Sequence, residues 1–188
     1  MPRYAPEVKK HAVASYDAEI VFCEPSKSSR EATVAALMAA RKSELVHPCD
    51  DDNIIAGQGT AALEILAQLD RPTDILMTPV GGGGLLSGSA IAVKDHKNRA
   101  STLVIGAEPE AADDAWRRFK TGLRVAESTP CTIADGLRGT LGERNFKIIM
   151  HRVDDIFLAS ETCIIEAMRL LWTRLKILVE LSAAVPMT

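Results

Sequence analysis

The stretch DILMTPVGGGGLLSGSAIAVKDH, residues 74–96, runs from a short apolar segment through four consecutive glycines into a segment with helical spacing. The apolar, β-rich run reads as a strand, and a helix is expected to begin near Leu85. A strand that enters glycines and then a helix brings free backbone N–H groups and the positive end of a helix to one point. Missing Cβ atoms let an anion approach that point closely. Gly81, Gly82, Gly83 and Gly84 therefore form a candidate phosphate cup, with a flexible turn as the alternative reading. A dinucleotide fingerprint does not fit: G-x-G-x-x-G needs glycine where Leu86 or Ser87 stands, and no G-K-[ST] follows for a Walker loop.

Outward from this stretch, helical periodicity over residues 6–16, 28–42 and 56–69 alternates with short β-rich runs. These runs are AEIVFC (18–23), DILMTPV (74–80) and STLVIGAE (101–108). Near-continuous apolar strands need cover on both faces, so the order predicts an α/β fold with a parallel sheet flanked by helices. Farther on, TPCTIADGLRGTLG (129–142) is irregular and DDIFLAS (154–160) reads as a strand. Residues 161–179 have the period of one long helix, with Ser160 as its N-cap.

Composition narrows the function classes. The 188 residues are 47% hydrophobic and 25% charged, enough for a core. The net charge of −3 is spread along the chain, so no basic block speaks for nucleic acid. Apolar runs are too short to span a bilayer and MPRYAPEVKK has no signal-peptide core, so the chain reads as cytoplasmic, without a membrane partner. Four cysteines without a C-x-x-C pair read as scattered thiols.

Five segments, HPCDDDNIIAGQGTAALEIL (47–66), the glycine stretch, VIGAEPEAADDA (104–115), TIADGL (132–137) and VELSAAVP (179–186), stand in an order and spacing that resembles serine/threonine dehydratases and serine racemases. These are fold-type II pyridoxal-phosphate enzymes, with a tryptophan synthase β-subunit-like fold. The resemblance covers essentially the whole chain. It implies pyridoxal 5′-phosphate as cofactor, with Gly81, Gly82, Gly83, Gly84 and the Leu85 amide around its phosphate, Gly136 bordering its ring and Glu180 near it. It also implies a homodimer, and a division into a partial small domain at 1–56 and a partial large, cofactor-binding domain at 57–188.

A second site is suggested by EPEAADDA. Glu108 and Asp114 offer hard carboxylate oxygens, and the Ala112 carbonyl completes one side of a shell for Mg²⁺, Mn²⁺ or Ca²⁺. The alternative is that acidic residues here only complement a helix dipole, as Asp113 does in either reading.

The family's S-x-K-x-R-G motif, whose lysine forms the Schiff base with the cofactor, is missing, as is its S-S-G-N-H loop. The nearest string, PSKSSRE (25–31), has the wrong spacing at Lys27 and Glu31 in place of glycine, and reads better as a helix start. In relatives these motifs precede the segment matching residue 1, so the chain is expected to be truncated at both ends, with no catalytic residue of its own identified. Asp17 stands where the family has a helix-ending glycine, Asp52 where it has proline, and Leu181 and Ala183 where it has proline and glycine. His47 reads as part of a structural turn rather than a base, and Leu171 and Trp172 as core packing.

The expected function is that of a fragment of an L-serine/L-threonine ammonia-lyase (dehydratase) or serine racemase, inactive alone because the lysine is absent. The alternative is a non-catalytic pseudoenzyme or subunit that binds an anion, a metal or a complete paralogue.

Overall fold

The computed structural model describes residues 1–71, 73–96, 101–123 and 130–188, and the chain forms two compact units, Met1–Val46 and His47–Thr188. The first holds helices α1 (Glu7–Ala14) and α2 (Lys27–Ala40). Ser26 caps α2 by accepting the Ser29 N–H at 3.1 Å, two residues ahead of Ser28, where SSRE was expected to start the helix. Asp17 ends the first helical segment in the left-handed region at φ 56, the conformation its alignment with glycine implies.

The strand expected at residues 18–23 does not form. This segment makes a single parallel bridge, Pro2 to Cys23, with the Cys23 N–H donating to Met1 O and the Arg3 N–H to Cys23 O, each at 3.0 Å. Pro25, whose N–H would be the next donor, toward Arg3 O, has none, so the ladder does not run on past Cys23.

The second unit begins with α3 (Asp52–Gln68) and continues through β1 (Ile75–Pro79), α4 (Gly84–Lys94), β2 (Leu103–Pro109) and α5 (Asp114–Thr121). It ends with α6 (Glu143–Arg152), β3 (Asp155–Ala159), α7 (Glu161–Leu170) and the single turn α8 (Leu181–Ala184). The strands lie in the order β1-β2-β3, all parallel, with Thr78 opposite Gly106 and Gly106 opposite Ile156. Central β2 is buried along six of its seven residues, which is why its sequence is apolar on both faces. The core joins Leu76, Val80, Leu86, Val93, Val104, Ile149 and Ile156.

Two close approaches fix α4. A Cβ on Gly88 would lie 2.3 Å from Ile55 O, so α3 and α4 cross backbone to backbone there. A Cβ on Gly106 would lie 2.8 Å from Leu86 Cδ2, which seats α4 on β2.

The long helix expected at 161–179 is shorter. Ser160 caps α7 through the Cys163 N–H (3.3 Å), but the helix passes into a π-turn at Leu171–Leu175 and stops at Lys176, whose φ of 58 is left-handed. The apolar residues beyond it fit the helical stripe by spacing alone, yet Leu178 is 88% exposed. Leu171 is core; Trp172 is not, being 42% exposed.

Candidate functional site

Strand β1 delivers the chain to the glycines. The Val80 N–H makes the last ladder bond, to Ala107 O (2.9 Å), and α4 begins at Gly84 with Gly83 as its N-cap at φ 91, ψ −6. That left-handed backbone is open to glycine and costly for other residues. The Ser87 N–H donates to Gly83 O at 2.9 Å. Amides in the first turn of a helix have no acceptor within it, and in α4 these are the amides of Gly84, Leu85 and Leu86.

The glycines serve a purpose that the sequence does not disclose. A Cβ on Gly82 would sit 2.3 Å from Cys49 Sγ, one on Gly83 2.6 Å from Leu141 Cδ1 and 2.8 Å from Asn145 Cβ, and one on Gly81 3.1 Å from Leu137 Cα. The positions that side chains would take are therefore filled by protein. Absence of Cβ atoms lets the loop press onto residues 49, 137, 141 and 145 as well as leaving its amides bare.

Behind the loop lies a network that spans the sequence. The Asp50 carboxylate accepts the N–H groups of Glu143 (3.1 Å), Arg144 (3.0 Å) and Asn145 (3.2 Å), capping α6, whose own N-cap is Gly142. His47 holds this turn as an acceptor, Nδ1 taking the N–H of Cys49 (3.2 Å) and of Asp50 (2.7 Å), the structural turn expected. Asn145 Nδ2 donates to Cys49 O and Gly82 O, both at 2.9 Å, and the Gly142 N–H donates to Gly82 O at 3.1 Å. Burial, with Asp50 beside it, pushes the Cys49 thiol up from its ordinary pKa.

Gly136 and Glu180 meet. The Gly136 N–H donates to Ser182 Oγ at 3.0 Å, and a Cβ on Gly136 would lie 3.2 Å from Glu180 Oε1. Because Leu137 abuts Gly81, the 135–137 turn and Glu180 stand on the same side of the molecule as the glycine loop. Four sequence segments thus converge: 49–50, 81–85, 136–145 and 180–182.

The acidic pair occupies the end of β2 and the start of α5. Glu108 is fully buried and accepts the N–H of Ala115 at 3.0 Å and of Trp116 at 2.7 Å; burial pushes its pKa up to about 9 against the pull of those two amides. Asp114 is raised too, first by burial, while Oδ2 accepts the Leu141 N–H at 2.9 Å. Ala112 is buried in the short 3₁₀ turn between them. Asp113 forms an ion pair with Arg117 at 2.6 Å. Among the described residues, no group of three or more His, Cys, Asp or Glu side chains is placed to hold a metal ion. Arg118, 2% exposed, donates to Leu141 O (2.7 Å) and Glu143 Oε1 (3.1 Å) and lies over the Phe146 ring at 4.5 Å, so residues 141–143 are gripped from a second side.

A separate cavity of about 250 Å³, bordered by Met77, Ala107, Ser160, Cys163 and Thr188, contains none of the residues the sequence singles out for a site. Asp50 and Asn145 are the members of the glycine-loop network that the sequence reading misses. Asp50 is hidden in a run of three aspartates, and Asn145 is one polar residue among several in ERNFK.

Residues 1–188 match the family described as pyridoxal-phosphate dependent enzyme. The β-hydroxyaspartate dehydratase of Paracoccus denitrificans (strain Pd 1222) is 44% identical over 187 residues, 100% of this chain and 58% of that protein. Human serine racemase is 44% identical over 186 residues, 98% of this chain and 54% of that protein. In three dimensions a threonine deaminase from T.th. superposes with a TM-score of 0.92 at 45% identity, over 100% of this chain and 61% of that one. The serine racemase of Dictyostelium discoideum gives 0.88 at 40% identity, over 98% and 58%. The chain thus spans about half the length of the curated relatives it matches, and its parallel sheet flanked by helices is part of the fold-type II architecture. This chain belongs to the pyridoxal-phosphate dependent enzymes.

Proposed function

We propose that this chain is the phosphate-gripping part of a pyridoxal-phosphate enzyme that acts on L-serine, L-threonine or another amino acid with a hydroxyl β to its amine. The amino acids in the names of the relatives above, serine, threonine and β-hydroxyaspartate, each carry that hydroxyl. The observation that carries the reading is the β1–glycine–α4 junction, with Gly83 left-handed and the first-turn amides of α4 free of helical acceptors. The junction fits a phosphate dianion: Gly81, Gly82, Gly83, Gly84 and Leu85 would hold it through backbone N–H groups, and Gly136 and Glu180 would border the ring. When bound, the cofactor stores the electron pair released as the substrate loses its α-proton.

The chain's own residues supply binding and orientation. It has no S-x-K-x-R-G lysine to hold the cofactor covalently and move the α-proton. General acid–base assistance is worth about 10² to 10⁴ in rate, and the positioning lost with it adds more. Residues 1–56 belong in this reading to the small domain and 57–188 to the large one, and a homodimer is its natural assembly. Glu108 and Asp114, two carboxyls whose ionised forms burial disfavours, are the pair that a divalent cation would stabilise as carboxylates, with the Ala112 carbonyl and water completing its shell. Calorimetric titration with Mg²⁺ and Mn²⁺ against Asp114→Ala tests that part; equal heats from both proteins would remove the metal.

The chain purified alone should bind pyridoxal phosphate in competition with inorganic phosphate and release no pyruvate from L-serine. Pyruvate above a matched cofactor-only control, lost on changing one lysine of this chain, would overturn the reading. A second reading is a non-catalytic subunit, and co-purification with a complete paralogue without turnover by this chain is its mark.

A further inference from the structure

Four glycines in a row do not orient themselves. A peptide unit between glycines turns over at little cost, because neither flanking residue has a Cβ to resist it. Yet an anion held by backbone amides needs each N–H aimed at it, so the direction of the Gly82–Gly83 peptide must come from outside the loop.

Asn145 provides it. Its Nδ2 donates to Gly82 O at 2.9 Å, next to the Gly142 N–H at 3.1 Å, so this carbonyl is pinned by two donors. The Gly82–Gly83 peptide is trans, and in a trans unit the C=O and N–H point in opposite directions. With Gly82 O drawn toward Asn145, the Gly83 N–H is turned to the other side of the loop.

The Asn145 carboxamide is itself fixed. Its second amide proton goes to Cys49 O at 2.9 Å, its backbone N–H is held by Asp50, and the side chain is fully buried. Oδ1 has no hydrogen-bond partner among the described residues, and exchanging Oδ1 with Nδ2 would set an acceptor against two carbonyls. A buried acceptor left unpaired is a cost the fold accepts while both protons are used on the loop.

We infer that Asn145 is a positioning residue for the cofactor phosphate: it does not touch the anion but turns the Gly82–Gly83 peptide so that the Gly83 N–H faces it. The inference rests on residues 81–85 being the phosphate cup, and the experiment separates the two. The ¹⁵N-labelled chain is titrated with inorganic phosphate and with pyridoxal phosphate, following the amides of Gly83, Gly84 and Leu85. In the wild type all three should shift. Asn145→Leu, similar in size with no donors, and Asn145→Asp, similar in shape with only acceptors, should lose the Gly83 response, keep that of Leu85, and bind phosphate about tenfold more weakly, the scale of one charge-assisted hydrogen bond. Ile149→Val, a packing change on the same helix, should keep the affinity within about twofold and so separates positioning from general destabilisation.

Folded Asn145 variants that bind like wild type would overturn the inference and leave the cup standing. Wild-type amides that ignore phosphate altogether would remove both. Should the Asn145 variants not fold, the wild type decides alone: a silent Gly83 beside responsive Gly84 and Leu85 overturns the inference, and a Gly83 shift as large as theirs supports it.

Discussion

Gly83 combines a backbone angle and a contact that each exclude a side chain. Its φ of 91 is left-handed, and a Cβ would stand 2.6 Å from Leu141 Cδ1. Strain of this kind costs about 1 to 3 kcal/mol, so Gly83→Ala should lower the urea-unfolding free energy by that amount and weaken phosphate binding with it; an unchanged midpoint would contradict the packing described. Glu108 carries the opposite kind of tension, a carboxyl fully buried beside a helix start. Burial raises its pKa from 4.5 to about 9, so between those values the folded chain keeps a proton that the unfolded chain releases. Its contribution is therefore fully present below pH 4.5 and is lost as pH rises toward 9. Between pH 6 and pH 8 the melting temperature should fall more for the wild type than for Glu108→Gln; parallel slopes would show that Glu108 folds already ionised.

Elements are secured here from near and from far, and that distance separates what the sequence discloses from what it conceals. The caps of α2 and α7, Ser26 and Ser160, adjoin their helices and can be read in a line of text. The cap of α6 cannot, because Asp50 reaches it across a separation of 93 to 95 residues. Asp50→Ala should cost about 0.5 to 2 kcal/mol, the range for losing a cap, and raise amide exchange in the first turn of α6. Protection of Glu143, Arg144 and Asn145 that survives the change would refute this. The same rule sorts the rest. Strands β1, β2 and β3 and the β1–glycine–α4 junction are local patterns and were legible. The failed strand at 18–23 depended on a neighbour it lacks, and the early end of α7 on a left-handed Lys176 that periodicity does not register. That Gly136 and Glu180 lie together was foreshadowed only through family resemblance, and the place of Asn145 through neither route.

At the scale of the whole molecule the two units differ in how much they bury. Of residues 1–46 only Cys23 is buried, and α1 and α2 bury none, while Tyr4, Val8, Tyr16 and Val46 are each more than 70% exposed. The unit 47–188 holds the three core clusters. Segments with few buried apolar contacts open first, so limited proteolysis of this chain should clear residues 1–46 early and leave a product beginning near His47. Cleavage that starts instead within α3 or α4 would reverse this ranking.

The crowding behind the glycine loop bears on how such chains are recognised. Bulk at Gly82 and Gly83 is refused by neighbours inside the protein before any ligand arrives, with Cys49, Leu141 and Asn145 already in place. A lineage that abandoned catalysis would still be pressed to keep glycine at 82 and 83 in order to close its interior. Used as a search string, GGGG after a strand therefore counts folded descendants, working and retired alike, and competence has to be diagnosed from a residue that the fold does not need for its own sake.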